Sequence, residues 1–130
     1  MVLFVCTGNT CRSPMAAAIY SSLGFGESDS AGLCANLESA SENAVLCMKE
    51  KGIDISSHVS KPLTLPLLKS ADKVCVMTEY HKSVIKNAGY EGEITVLDCP
   101  DPFGGDLDRY RAARDYLYKV ISAKKEEGIL

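Results

Sequence analysis

Five residues separate a cysteine from an arginine in Val5-Cys6-Thr7-Gly8-Asn9-Thr10-Cys11-Arg12-Ser13-Pro14, directly after a short apolar run. Val2-Leu3-Phe4-Val5 has the apolar continuity of a buried strand. Ser13-Pro14 reads as a helix start, with Ser13 a candidate cap and Pro14 suited to the first turn. Met15 to Leu23 continues with Ala, Ile, Tyr and Leu and can pack as that helix. The segment between is therefore a loop joining a strand end to a helix N-terminus. Backbone N–H groups of such a loop converge on an anion, and the helix dipole adds positive charge. Gly8 reads as the residue that gives the loop its backbone freedom.

A phosphate dianion in this cup meets Thr7, Gly8, Asn9, Thr10 and Cys11 along the loop. Arg12 can hold two of its oxygens with a planar fork. Cys6 then lies beneath the phosphorus atom. The positive surroundings that bind phosphate also favour thiolate over thiol, and the Ser13 hydroxyl is near enough in sequence to donate to the sulfur. Attack by Cys6 gives a phosphocysteine, which water hydrolyses. Asn9 is expected to brace the loop by side-chain hydrogen bonds to its backbone. The bland alternative is a buried cysteine with a surface arginine nearby. The strand–loop–helix setting, with Gly8, Asn9 and Ser13 in place, favours the reactive reading. No metal or other cofactor is expected, because Arg12 and the amides supply the electrostatic stabilisation.

The leaving group needs a proton donor. Asp101 precedes Pro102 in a glycine-rich loop after the last expected strand, and Asp98 is the alternative. The donor acts first as acid and then as base toward the attacking water. Asp106 and Asp108 suit the start of the last helix. Phe103 offers one aromatic wall for a substrate. The stretch Cys34 to Glu38, which could supply a second, has no aromatic residue. One aromatic face beside an anionic Asp101 suits a planar cationic guanidinium. Thr10 adds a compact polar wall, with a hydroxyl that could help place the water.

Cys6 to Ala16 resembles the signature loop of the low-molecular-weight protein tyrosine phosphatase family. Ser30-Ala31-Gly32, Ser57-His58-Val59-Ser60, Asp72 to Thr78 and Asp101-Pro102-Phe103-Gly104-Gly105-Asp106 resemble later segments of that family, in its order. Thr10 and the Asp-Pro-Phe-Gly-Gly loop look most like the bacterial protein arginine phosphatases. Ala17 and Leu33-Cys34 depart from the commoner residues of relatives. The resemblance implies a four-stranded parallel sheet and hydrolysis of phosphoarginine on protein substrates. Phosphotyrosine hydrolysis is the runner-up. Arsenate reduction and a phosphate-binding module without turnover rank lower: the first needs resolving cysteines where Met77-Thr78 stands, and the second has no use for Asp101.

The 130 residues suit one domain, residues 1–130. Strands near Glu27–Ser30, Lys73–Met77 and Glu93–Leu97 alternate with helices at Ser39–Lys51, Glu79–Ala88 and Asp106–Lys125. Leu33–Glu38 reads as a loop, and Pro62 and Pro66 interrupt the mixed stretch Ile53–Pro66. This is the pattern of an α/β fold with a parallel sheet and helices on both faces. Leu107, Tyr110, Leu117 and Ile121 form one face of the last helix, and Leu107 and Tyr110 read as core. A net charge of −3 does not favour nucleic-acid binding, and no run is long enough to span a membrane. Met1 leads straight into the first strand, so no signal peptide is expected and the setting is a reducing cytosol. The chain is expected to act as a monomer. Cys47 and Cys75 read as buried free thiols. Cys11 is either a reversible disulfide partner for Cys6 or a small loop-filling residue. His58 and His81 are expected to form structural hydrogen bonds.

Overall fold

Alternation along the first strand sets the layers. A computed structural model describes all 130 residues. In chain order the elements are β1 (Val2–Cys6), α1 (Arg12–Ser22), β2 (Ser28–Gly32), α2 (Glu42–Lys49), α3 (Leu65–Ser70), β3 (Lys73–Val76), α4 (Glu79–Asn87), β4 (Ile94–Val96) and α5 (Leu107–Glu126). β1 is buried along its whole length, so both its faces must be covered. Phe4 and Cys6 point into a core with Met15, Met48, Leu117 and Ile121, residues of α1, α2 and α5. Leu3 and Val5 point the other way, to Leu68 of α3, Val76 and Ile85 of α4. The strand period of two thus feeds two separate cores.

All strand pairs are parallel, in the order β2-β1-β3-β4. The step from β1 to β2 and the step from β3 to β4 run in opposite directions across the sheet. Right-handed crossovers therefore place α1 and α4 on opposite faces. The chain order reverses between β1 and β3, and a crevice opens beyond their carboxyl ends. Cys6 is the last residue of β1, so its loop fills that crevice.

Some expected boundaries move. The helix expected from Ser39 begins at Glu42. Its first residues are drawn elsewhere: Ser39 bridges Val59, and the Ser60 N–H donates to the Glu38 carbonyl. Pro66 lies in the first turn of a short helix where an interruption is expected. Thr64 caps that helix by accepting from the Leu67 N–H, and proline in a first turn forfeits no helical hydrogen bond. Asp106 caps α5 in the same manner, accepting from the Arg109 N–H. Glu50, just after α2, pairs with Arg111 and Arg114 of α5 at 2.6 and 2.7 Å.

Candidate active site

α1 begins two residues earlier than expected. Cys11 takes the cap position, and no side chain caps the helix. The first-turn N–H groups are therefore left for an anion. Ser13 is not the cap. Its hydroxyl turns back to Cys6, with Oγ 2.9 Å from the sulfur. Asn9 Nδ2 donates to the same Oγ at 2.7 Å, which leaves the Ser13 proton to point at the sulfur. The Asn9 backbone N–H also reaches Cys6 Sγ, at 3.3 Å. Two donors thus converge on one buried sulfur.

Asn9, and not Gly8, carries the unusual backbone of this loop. Its φ is 56°, in the left-handed region, and it is fully buried. Three partners hold it there. Nδ2 binds Ser13, Oδ1 accepts from the Lys61 N–H at 3.0 Å, and His58 Nε2 donates to its carbonyl at 2.7 Å. The expected bracing is real, but it runs to Ser13 and a neighbouring segment and not to the loop's own backbone. A Cβ at Gly8 would meet only Thr10 Oγ1, at 3.6 Å. The constrained glycine is Gly32 at the end of β2. A Cβ there would lie 2.6 Å from the Thr7 carbonyl oxygen and 2.9 Å from the Asn9 nitrogen.

Arg12 is buried, and its Nη1 donates to the Cys99 carbonyl at 3.0 Å. Its Nη2 lies 3.6 Å from Asp101 Oδ2. The Asp101 side chain is 52% exposed, and its Oδ1 accepts from the Phe103 N–H at 3.1 Å in a tight turn. A cleft of about 250 Å³ joins these parts. Cys6, Cys11 and Arg12 form its buried end, and Thr7, Gly8 and Thr10 its sides. Asp101, Phe103 and Glu38 stand at the open end. Asp98 does not line it. Of the residues singled out from sequence, Asn9 and Ser13 act from behind the cleft and the rest meet in it.

The structural hydrogen bonds expected of His81 are present, whereas Thr78, Ser41, Glu38 and the hydroxyl role of Tyr110 were missed in the sequence. His81 and Thr78 cap α4 reciprocally. His81 Nδ1 accepts from the Thr78 N–H at 3.2 Å, so the neutral ring carries its proton on Nε2 and donates it to Thr7 Oγ1 at 2.9 Å. Burial, reinforced by the Arg12 charge and partly opposed by Asp101, pushes the His81 pKa down to about 4. Tyr110 is core, as expected, but its hydroxyl also lies 3.3 Å from Cys11 Sγ, and Ser41 Oγ lies 2.9 Å from the same sulfur. Burial is the main cause that pushes the Tyr110 pKa up to about 12. Cys6 and Cys11 are both free thiols with separate hydroxyl partners. Burial also pushes Cys75 and Cys99 up to about 12, so neither supplies a second ready nucleophile. Glu38 had no signal beyond its place in a loop without aromatics.

A sulfur flanked by donors, an anion seat at a helix start and a carboxylic acid beside it can displace a group from phosphorus. The chain belongs to the low molecular weight phosphotyrosine protein phosphatase family, whose model matches residues 1–124. Within it, the chain is 40% identical to a protein-arginine-phosphatase of Bacillus subtilis (strain 168), over 92% of this chain and 91% of that protein. The structure of the YwlE arginine phosphatase from Geobacillus stearothermophilus is similar, with a TM-score of 0.91 and 39% identity, covering 97% of this chain and 90% of that one. A YwlE mutant with a phosphorylated active-site serine superposes with the same TM-score at 36% identity, over 97% and 93% of the two chains. No helix is long and apolar enough to cross a membrane.

Proposed function

We propose that this protein is a protein-arginine phosphatase that works through a phosphocysteine at Cys6. One observation carries the choice of substrate: the cleft beside Cys6 has a compact Thr10, a half-exposed acid at Asp101 and a single aromatic, Phe103. A phosphotyrosine ring is best held between two apolar walls. A guanidinium is satisfied by one aromatic face and a carboxyl oxygen that accepts from its N–H groups. The similarity to two arginine phosphatases supports the same reading.

In this reading Arg12 and the amides from Thr7 to Ser13 hold the phosphoryl oxygens while Cys6 attacks from below. Ser13 and the Asn9 N–H stabilise charge on the sulfur before attack and again when it leaves. Asp101 protonates the departing guanidino nitrogen and then takes a proton from the water that cleaves the phosphocysteine. Thr10 borders the path of that water. The cleft is complete within one chain, which supports action as a monomer on phosphorylated protein. Three cysteines, Cys47, Cys75 and Cys99, are packed in the core as free thiols, which supports a reducing, cytosolic setting.

Phosphate release from a phosphoarginine peptide tests the proposal. Release by the wild type and none by Cys6→Ser is the expected result. A wild type that ignores this peptide but cleaves a phosphotyrosine peptide would keep the mechanism and discard the substrate.

A further inference from the structure

Of the nine residues that line the cleft, three carry charge: Arg12, Glu38 and Asp101. The charge of Arg12 is engaged by Asp101 and the Cys99 carbonyl. Glu38 takes part in none of the protein's ion pairs. An unpaired carboxylate at the mouth of a phosphate cleft is costly for most substrates, because it repels an entering dianion. The cost reverses for a substrate whose phosphate is bonded directly to a cation.

The backbone of Glu38 is fixed. Its N–H donates to Ser60 Oγ at 2.7 Å, and the Ser60 N–H returns a bond to its carbonyl at 2.8 Å. Ser60 is fully buried. The next residue, Lys61, is the one whose N–H holds Asn9 of the phosphate loop. Glu38 and the phosphate loop therefore hang on one short segment, which sets the backbone that carries the carboxylate at the mouth of the cleft. β2 and β4 are the two edge strands of the sheet. Glu38 follows the first and Asp101 the second, so the two acids reach the central cleft from opposite sides.

We infer that Glu38 determines specificity: its carboxylate receives the far side of a phosphoarginine guanidinium and turns away phosphates carried on neutral groups. The inference rests on the phosphoarginine reading and adds a residue to it. A guanidinium is planar and offers paired N–H donors, which a carboxylate accepts side by side. Asp101 is thereby left to serve the bridging nitrogen, while Glu38 serves the nitrogens that do not carry phosphate. Glu38 makes no covalent contribution to the reaction, so its effect falls on substrate choice.

The test compares kcat/KM for a phosphoarginine peptide and a phosphotyrosine peptide of otherwise identical sequence, with the wild type, Glu38→Gln and Glu38→Lys. Glu38→Gln is expected to lower the phosphoarginine value about twofold to fivefold, the scale of a solvent-screened charge pair, mainly through KM. The phosphotyrosine value should rise with the same change, and Glu38→Lys should move both further in the same directions. Added salt should shrink the difference between wild type and Glu38→Gln. A wild type that prefers phosphoarginine, with an unchanged ratio in Glu38→Gln, would overturn this inference alone. Equal losses on both peptides would also overturn it, because they mean a structural role. A wild type without phosphoarginine activity would overturn the functional reading and this inference together.

Discussion

The Arg12 guanidinium lies 3.6 Å from the Asp101 carboxylate, across the open side of the cleft. Arg12 is anchored by Cys99 at the end of the β4 segment, whereas Asp101 is half exposed and anchored only through its turn with Phe103. The buried partner is fixed and the exposed one can move. In the proposed mechanism, a phosphate that takes the arginine's free nitrogens releases Asp101 toward the leaving group. Asp101→Asn keeps the size and the turn but cannot donate as an acid. It should lower kcat on a phosphoarginine peptide by about 10²–10⁴. A loss below tenfold would assign the proton to another group.

Ser13 is the hinge of the hydrogen bonds behind the sulfur. Ser13→Ala removes a donor from Cys6 and leaves Asn9 Nδ2 without its partner. Hydrogen bonds to charged groups contribute about 1.5–3 kcal/mol, so kcat should fall roughly tenfold to a hundredfold. Ser13→Thr, which keeps the hydroxyl, should recover part of the loss. Pre-steady-state kinetics that show unchanged phosphoenzyme formation in Ser13→Ala would contradict this role.

Gly32 has no room for a side chain against the phosphate loop. Gly32→Ala pushes on the backbone of Thr7 and Asn9, and overpacking of this kind costs about 1–3 kcal/mol. Thermal unfolding should show a lower Tm than Gly8→Ala, which meets only ordinary contact. Equal Tm values for the two variants would refute the close approach.

His81 is held neutral, so its protonation opposes the fold. Its pKa is about 4 in the folded protein against an ordinary 6.5. Between these values the unfolded chain binds the extra proton, so stability falls as pH drops from 6.5 toward 4. His81→Gln should flatten that part of the pH dependence. Nitrogen NMR at about pH 5 should show a neutral ring protonated on Nε2. A charged ring at that pH would contradict the assignment.

The reactive centre was legible because its parts are close in sequence and chemically scarce. Cys6, Arg12 and the strand-to-helix change fall within seven consecutive residues, and Asp101-Pro102 stands in a loop with its own signature. The strands were legible because β1 and β3 are continuous apolar runs. The supporting residues were harder to read because their meaning is set by distant partners. Gly32 matters through the Thr7 carbonyl, His81 through Thr7 Oγ1, and Tyr110 through the Cys11 sulfur. Nothing local marks them. Gly8 misled in the opposite way: a glycine in a tight loop suggests strain, but the side-chain bonds of Asn9 let a non-glycine residue take the left-handed position.

On the proposed reading, the walls of this cleft select phosphoarginine. Thr10 borders the cleft beside Cys6, where a larger aliphatic residue would narrow the space for a guanidinium and offer a tyrosine ring an apolar contact. The most direct measurement is the ratio of kcat/KM for phosphoarginine and phosphotyrosine peptides mixed in one pot, for the wild type and for Thr10→Ile. A wild-type ratio well above one is expected. Thr10→Ile should lower it by about tenfold or more, within the roughly 1–3 kcal/mol that a pocket change of this size supplies. A wild-type ratio at or below one, or a ratio that Thr10→Ile leaves unchanged, would contradict that reading.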